Sequence, residues 1–154
     1  MTSDDKRGIV VGIDGSEACR RALEWARHRT DHFGPIRPVH TWEYPTTVTA
    51  ATPFGPGPIP TSVEMERSAE AITAECLAEL GDTPSVDPVI TRGEAGDALV
   101  EAAADAELLV VGSRGRGALR ANLLGSVGRH CADHTPVPLV IVPHHDGEVP
   151  TPAG

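Results

Sequence analysis

Aromatic residues are nearly missing from this chain: its 154 residues include two Trp, one Tyr and two Phe. The interior must then be built mainly from Ala, Val, Leu and Ile, as helices packed closely against a parallel sheet permit. Cysteine is scarce too, and Cys19, Cys76 and Cys131 are widely spaced, odd in number and never in a Cys-x-x-Cys pair. That leaves no disulfide framework to infer. The thiols read as small apolar residues of a reducing compartment, with metal or redox chemistry the minor alternative. No apolar stretch approaches the roughly 20 residues that cross a bilayer, and residues 1–8 are polar and charged with no signal-peptide core behind them. A cytoplasmic protein without membrane contact is expected. Basic charge is short as well: 13 Lys and Arg face 22 Asp and Glu, which argues against nucleic acid as a partner because phosphate backbones are held by basic surfaces.

Signature motifs of several chemistries are also absent. A P-loop fails because Gly112 and Gly117 are followed by Ala118 and Leu119, with no lysine for the phosphates. The dinucleotide pattern G-x-G-x-x-G fails at Arg120, where a third glycine should follow Gly115 and Gly117. There is no G-x-S-x-G nucleophile elbow. His28 and His32, and His130 and His134, are each four apart at expected helix C-termini, where a cation complements the dipole; neither pair has the glutamate of H-E-x-x-H. No nucleophile and base are placed together by the sequence, so no catalytic residue is assigned.

What is present alternates from end to end. Gly8 to Ile13 reads as a first strand, followed by a helix capped by Ser16 and running to about Phe33, with Ala18, Ala22, Trp25 and Ala26 on one face. Ile36 to Trp42 is a second strand. Residues 44–61 are a long Pro-rich connection with no period that would build an element; such a connection tends to be a lid or a mobile surface loop. A helix from Ser62 to about Leu80 carries Met65, Ala69, Ile72, Cys76 and Leu80 at spacings of three and four. Strand three spans Ser85 to Thr91, and Pro88 assigns it to a sheet edge. A helix after Gly93-Glu94 presents Leu99, Ala102, Ala103 and Ala106. Strand four is the apolar run 107–112, a last helix covers Gly125 to His134, and Val137 to Val142 is strand five. A flexible start (1–7), one domain (8–143) and a polar tail (144–154) are expected. Alternation of this kind implies a mostly parallel open sheet with helices on both faces.

Ligands of such sheets sit beyond the carboxyl ends of the strands, where strand order reverses. The loop after strand four is built for one. From Leu108 to Ala132 there is no Asp or Glu, while Arg114, Arg116, Arg120 and Arg129 all fall there. Gly112 and Gly115, then nine residues, then Gly125 and Ser126 form a frame from strand end to helix start. Glycine lets backbone N–H groups approach an anion, and a helix start offers unsatisfied N–H donors. Asp14 follows the first strand and precedes Gly15-Ser16, where it suits a ribose hydroxyl, a phosphate-bridging Mg²⁺, or a turn before the first helix.

Taken together, these residues resemble the universal stress protein family, in particular its ATP-binding branch. The frame G-x-x-G-(nine residues)-G-[ST] is met by Gly112, Gly115, Gly125 and Ser126, and the opening from Val10 to Glu17 is also typical. The resemblance covers Gly8 to Pro143. It implies a single Rossmann-like α/β sheet of five strands in the order 3-2-1-4-5, with ATP, and Mg²⁺ with it, across strands one and four. By position, Gly12, Ile13 and Asp14 would border the adenosine. Gly112, Ser113, Arg114, Gly115, Arg116 and Gly117 would wrap ribose and phosphates, while Gly125, Ser126 and Val127 would take the phosphate tail. Thr41 would meet adenine, although family members have an apolar residue there, and Gly93 would lie at the rim. Gly128 stands where many members carry a second hydroxyl. The resemblance also implies a homodimer through strand five, and the apolar run 137–142 is a liability at an edge unless covered. The expected role is an ATP-binding regulatory or stress-response protein. The alternatives are slow Mg²⁺-dependent ATP hydrolysis, with Asp14 on the metal and Arg114 and Arg116 on the phosphates, or an interaction module of the same fold that binds no nucleotide.

Overall fold

The structure, a computed structural model, describes residues 6–43, 51–52, 55–56, 58–113 and 124–143. In chain order the first elements are β1 (Ile9–Ile13), α1 (Glu17–Arg27), α2 (Thr30–Phe33), β2 (Ile36–Trp42), β3 (Ala51–Thr52) and β4 (Gly55–Pro56). Then come α3 (Ser62–Ala78), β5 (Val89–Arg92), α4 (Ala95–Ala103), β6 (Leu108–Gly112), α5 (Ser126–His134) and β7 (Leu139–Val142). Five strands form one parallel sheet ordered β5-β2-β1-β6-β7, which is 3-2-1-4-5 when its strands alone are counted.

Strand side chains alternate between two cores because successive residues point to opposite faces. Ile9, Val11, Ile13, Leu108 and Val110 pack with Cys19, Ala22, Leu23 and Ala26 of α1 and Cys76 of α3. Val10, Leu109 and Val111 pack with Leu99 and Ala103 of α4 and Cys131 of α5. The central strands are therefore apolar on both faces, as their unbroken runs require.

Four local expectations need correction. The first helix does not continue to Phe33: it ends at Arg27, and α2 follows. There the Thr30 hydroxyl donates to Arg27 O (3.3 Å) and the Arg29 guanidinium donates to Trp25 O (2.8 Å) while lying over the Trp25 ring. Side-chain bonds thus take the carbonyls that a continuous helix would use. Residues 44–61 contain a two-residue antiparallel ladder, β3 with β4. Strand three is shorter than Ser85–Thr91: Ser85 makes an isolated bridge to Ile36, and regular pairing starts at Val89, after Pro88. Strand five starts at Leu139, after Pro138. The edge position of β5 agrees with the reading of Pro88.

The interruption at the edge also accommodates Pro38 inside β2. Ile36 bonds to Pro84 and Val86 on the β5 side, so two residues on, Pro38 turns its missing N–H toward the gap between Ser85 and Val89. A proline in an inner strand thus costs no ladder bond. At the other end of the chain's described start, Lys6 donates to Asp31 O and Arg7 pairs with Glu107 at 3.2 Å. The expected tail 144–154 and residues 1–5 lie outside the described residues. Among the described residues no helix is long and apolar enough to cross a membrane.

Candidate functional site

Parallel strands all end at one edge of the sheet, and the order reverses between β1 and β6. Their ladder runs from Ile9–Leu108 to Val11–Val110, so Gly12-Ile13 and Val111-Gly112 continue beyond its last pair. This is the crevice where open α/β sheets hold ligands.

On the β1 side, Asp14 Oδ1 accepts from Ser16 N (2.9 Å) and from Ser16 Oγ (2.5 Å). Ser16 in turn caps α1 by accepting from Cys19 N (3.2 Å). Asp14 is thus a turn residue and a half-buried carboxylate at the crevice together. Below it, burial pushes the Cys19 thiol up to about 12. Cys19 is buried and stays protonated at neutral pH.

On the β6 side, Ser113 acts as a clamp through its backbone. Its N–H donates to Val142 O (2.9 Å), and its carbonyl accepts from Gly125 N (3.0 Å). The two ends of the frame are thereby joined, and the start of α5 is brought to the end of β6. Gly125 is the N-cap of α5 with no side-chain capping bond, and the first turn has no acid. Ser126 is exposed and Val127 half-buried there. Such a helix start offers N–H donors and the positive dipole end. Arg114, Gly115, Arg116 and Gly117 of the expected site lie outside the described residues, as does Arg120.

Several positions take a different meaning from their neighbours. Gly112 need not be glycine for an anion's sake alone: a Cβ there would lie 2.6 Å from Ala18 Cβ and 2.7 Å from Ala18 C. Close packing of α1 on β6 demands it. Ile13 turns a buried side chain into the α1 core, and a Cβ at Gly12 would sit 3.1 Å from Leu99 Cδ1. Both therefore present backbone to the crevice. Thr41 pairs with Thr91 and is half-buried, and Gly93 donates to Trp42 O (3.1 Å). These two lie on the β2 and β5 side, across β1 from the frame. His40, the neighbour of Thr41, is structural. Its Nδ1 meets Thr73 Oγ1 (2.8 Å) and Ala69 O (3.1 Å), which pins α3 to β2.

The histidine pairs separate. His28 and His32 do not share a helix: α1 ends at Arg27 with His28 as its C-cap, and His32 lies in α2. His130 and His134 share α5 and stack with ring centroids 4.4 Å apart, yet His130 Nε2 turns to Asp97 Oδ1 at 2.9 Å. That contact joins α5 to α4, and no sequence spacing announces it.

The model of the universal stress protein family matches residues 6–143, a range that takes in every described residue. The chain belongs to the universal stress protein family. Among its relatives, a universal stress protein of Mycolicibacterium smegmatis is 30% identical over 168 residues, an alignment that takes in 100% of this chain and 55% of that protein. A universal stress protein of Thermus aquaticus is 30% identical over 137 residues, covering 87% of this chain and 96% of its own. The chain thus spans about half the length of the mycobacterial relative and nearly all of the Thermus one. A universal stress protein solved in complex with cAMP is 26% identical, with a TM-score of 0.58 over 88% of this chain and 94% of its own.

Proposed function

We propose that this universal stress protein binds an adenine nucleotide, ATP with Mg²⁺, across β1 and β6, and serves as a nucleotide-dependent regulatory or stress-response protein. The observation that carries the reading is the Ser113–Gly125 clamp, which brings an α5 start without a side-chain cap to the crevice that Asp14 borders. An anion there would meet the α5 amides and the Ser126 hydroxyl. Gly12 and Ile13 would offer backbone to the nucleoside, Gly112, Ser113 and the arginines of the loop would line ribose and phosphates, and Val127 would flank the phosphate tail. Thr41 and Gly93 would reach the ligand from the β2 and β5 side. Asp14 would hold a ribose hydroxyl or the Mg²⁺. A relative solved with cAMP supports an adenine nucleotide as the ligand class.

Calorimetric titration of Mg-ATP into the protein tests this. Binding is expected, weakened about tenfold or more in Ser126→Ala, the loss of a hydrogen bond to a charged group being worth about 1.5–3 kcal/mol. Asp14→Asn keeps an acceptor for Ser16 and should weaken binding chiefly when Mg²⁺ is present. No heat at millimolar ATP would overturn the reading.

We also propose that the protein is a homodimer paired through β7. That strand is an edge of the sheet, and its Ile141 is 37% exposed. A second copy would cover an apolar edge that otherwise invites aggregation.

A further inference from the structure

Glu94, Asp97 and His130 form a cluster that the proposed nucleotide site does not use. Glu94 is the N-cap residue of α4 and its side chain makes no capping bond. Asp97 lies in the first turn of α4, and His130 reaches across from the second turn of α5. One ligand atom from each lies within 4.8 Å of the other two. The imidazole is seated by Gly96: a Cβ there would lie 2.6 Å from His130 Cδ2 and 2.8 Å from its Cγ. Any larger residue would push the ring off α4. The first turn of α4 is therefore a seat for an imidazole with a carboxylate on either side of it in sequence.

We propose that Glu94, Asp97 and His130 bind a divalent transition-metal ion of the Zn²⁺ or Mn²⁺ type. One imidazole nitrogen and two carboxylates offset the charge of a dication, and the nitrogen favours these ions over Mg²⁺ or Ca²⁺. Bond lengths of about 2.0–2.2 Å place the ligands of one zinc ion roughly 3–3.5 Å apart. Asp97 and His130 already stand at such a separation. Both carboxylates are exposed, so rotation about their side-chain bonds can close the rest of the gap, with water completing the shell. A plain His130–Asp97 ion pair would account for two of the three residues and leave Glu94 without a part. The three residues are not among those assigned to the nucleotide, although Glu94 follows Gly93 directly in the chain. A bound ion would fasten α4 to α5, whose first residue, Ser126, belongs to the proposed phosphate site.

Titration of ZnCl₂ into the nucleotide-free protein, followed by calorimetry and by the imidazole resonances of ¹⁵N-histidine-labelled protein, tests the proposal. The expected result is one ion per chain with the His130 ring shifted, and at least about tenfold weaker binding in the double variant Glu94→Gln, Asp97→Asn. Those exposed, near-isosteric changes spare the Gly96–His130 packing, and the His130 signal of the unmutated protein reports on the site without any variant. Equal affinity in the double variant overturns it. So does binding that shifts only His144 and His145, or no binding at millimolar Zn²⁺. None of these outcomes bears on whether ATP binds.

Discussion

At Gly112 the distance between β6 and α1 leaves no room for a methyl group, because the nearest atoms include Ala18 backbone that cannot rotate away. Gly112→Ala is therefore expected to lower stability by about 1–3 kcal/mol, the cost typical of overpacking. Gly128 is a useful contrast, since a Cβ there meets only side-chain atoms of the half-buried Leu124, its Cδ1 at 2.7 Å first, and no backbone. Gly128→Ala should be near neutral, helped by alanine's better helix propensity. Urea unfolding midpoints of both variants check this, and equal penalties would contradict it. The glycine frame is legible in the sequence as a pattern, but its reasons are not. Spacing pointed to an anion, while Ala18, ninety-four residues earlier in the chain, supplies a second constraint visible only once α1 lies on β6. Asp14 is similar: its place after β1 is legible, its bonds to Ser16 follow from the turn.

Among the elements, α3 carries a complete capping box. Thr61 Oγ1 accepts from Glu64 N (3.2 Å), and Glu64 accepts from Thr61 N (2.7 Å). The signature, a threonine followed three residues later by glutamate, is present in the sequence and marks the helix start. Thr61→Ala should cost about 0.5–2 kcal/mol. Hydrogen bonds from the Thr61 backbone and hydroxyl hold the Glu64 carboxyl below its ordinary range. A depressed carboxylate contributes stability that is present above its unfolded pKa and lost as pH falls through its folded one. The Thr61→Ala penalty should accordingly shrink in acid, below the usual glutamate range. Denaturation of both proteins at neutral pH and near pH 3 measures it, and an unchanged penalty would show that the Thr61 hydroxyl bond to Glu64 (2.9 Å) contributes nothing to the cap. The break between α1 and α2 was hidden for the opposite reason. The apolar spacing continues past Arg27, and the bonds that end the helix come from Arg29 and Thr30 side chains competing for carbonyls.

For the molecule as a whole, the two edges of the sheet differ. The edge that carries β5 is interrupted between the Ser85 bridge and Val89, where Pro88 stands, a feature that discourages a neighbour, whereas β7 offers Leu139–Val142 as a regular apolar strand. If two copies join there, Ile141→Lys should convert a dimer to a monomer in light scattering while circular dichroism stays unchanged. A dimer that survives the substitution would place the contact elsewhere. The alternation of strands and helices, the edge position of β5 and the location of the crevice all follow from local pattern: a buried parallel strand must be apolar on both faces, and a chain that reverses its strand order must leave a gap at the reversal. Contacts between residues distant in sequence have no such local signature. The seat of His130 on Gly96, the clasp of His40 on α3 and the fit of Ala18 against Gly112 arise when separate helices settle on one sheet, because side-chain packing depends on which surfaces meet, which periodicity does not encode.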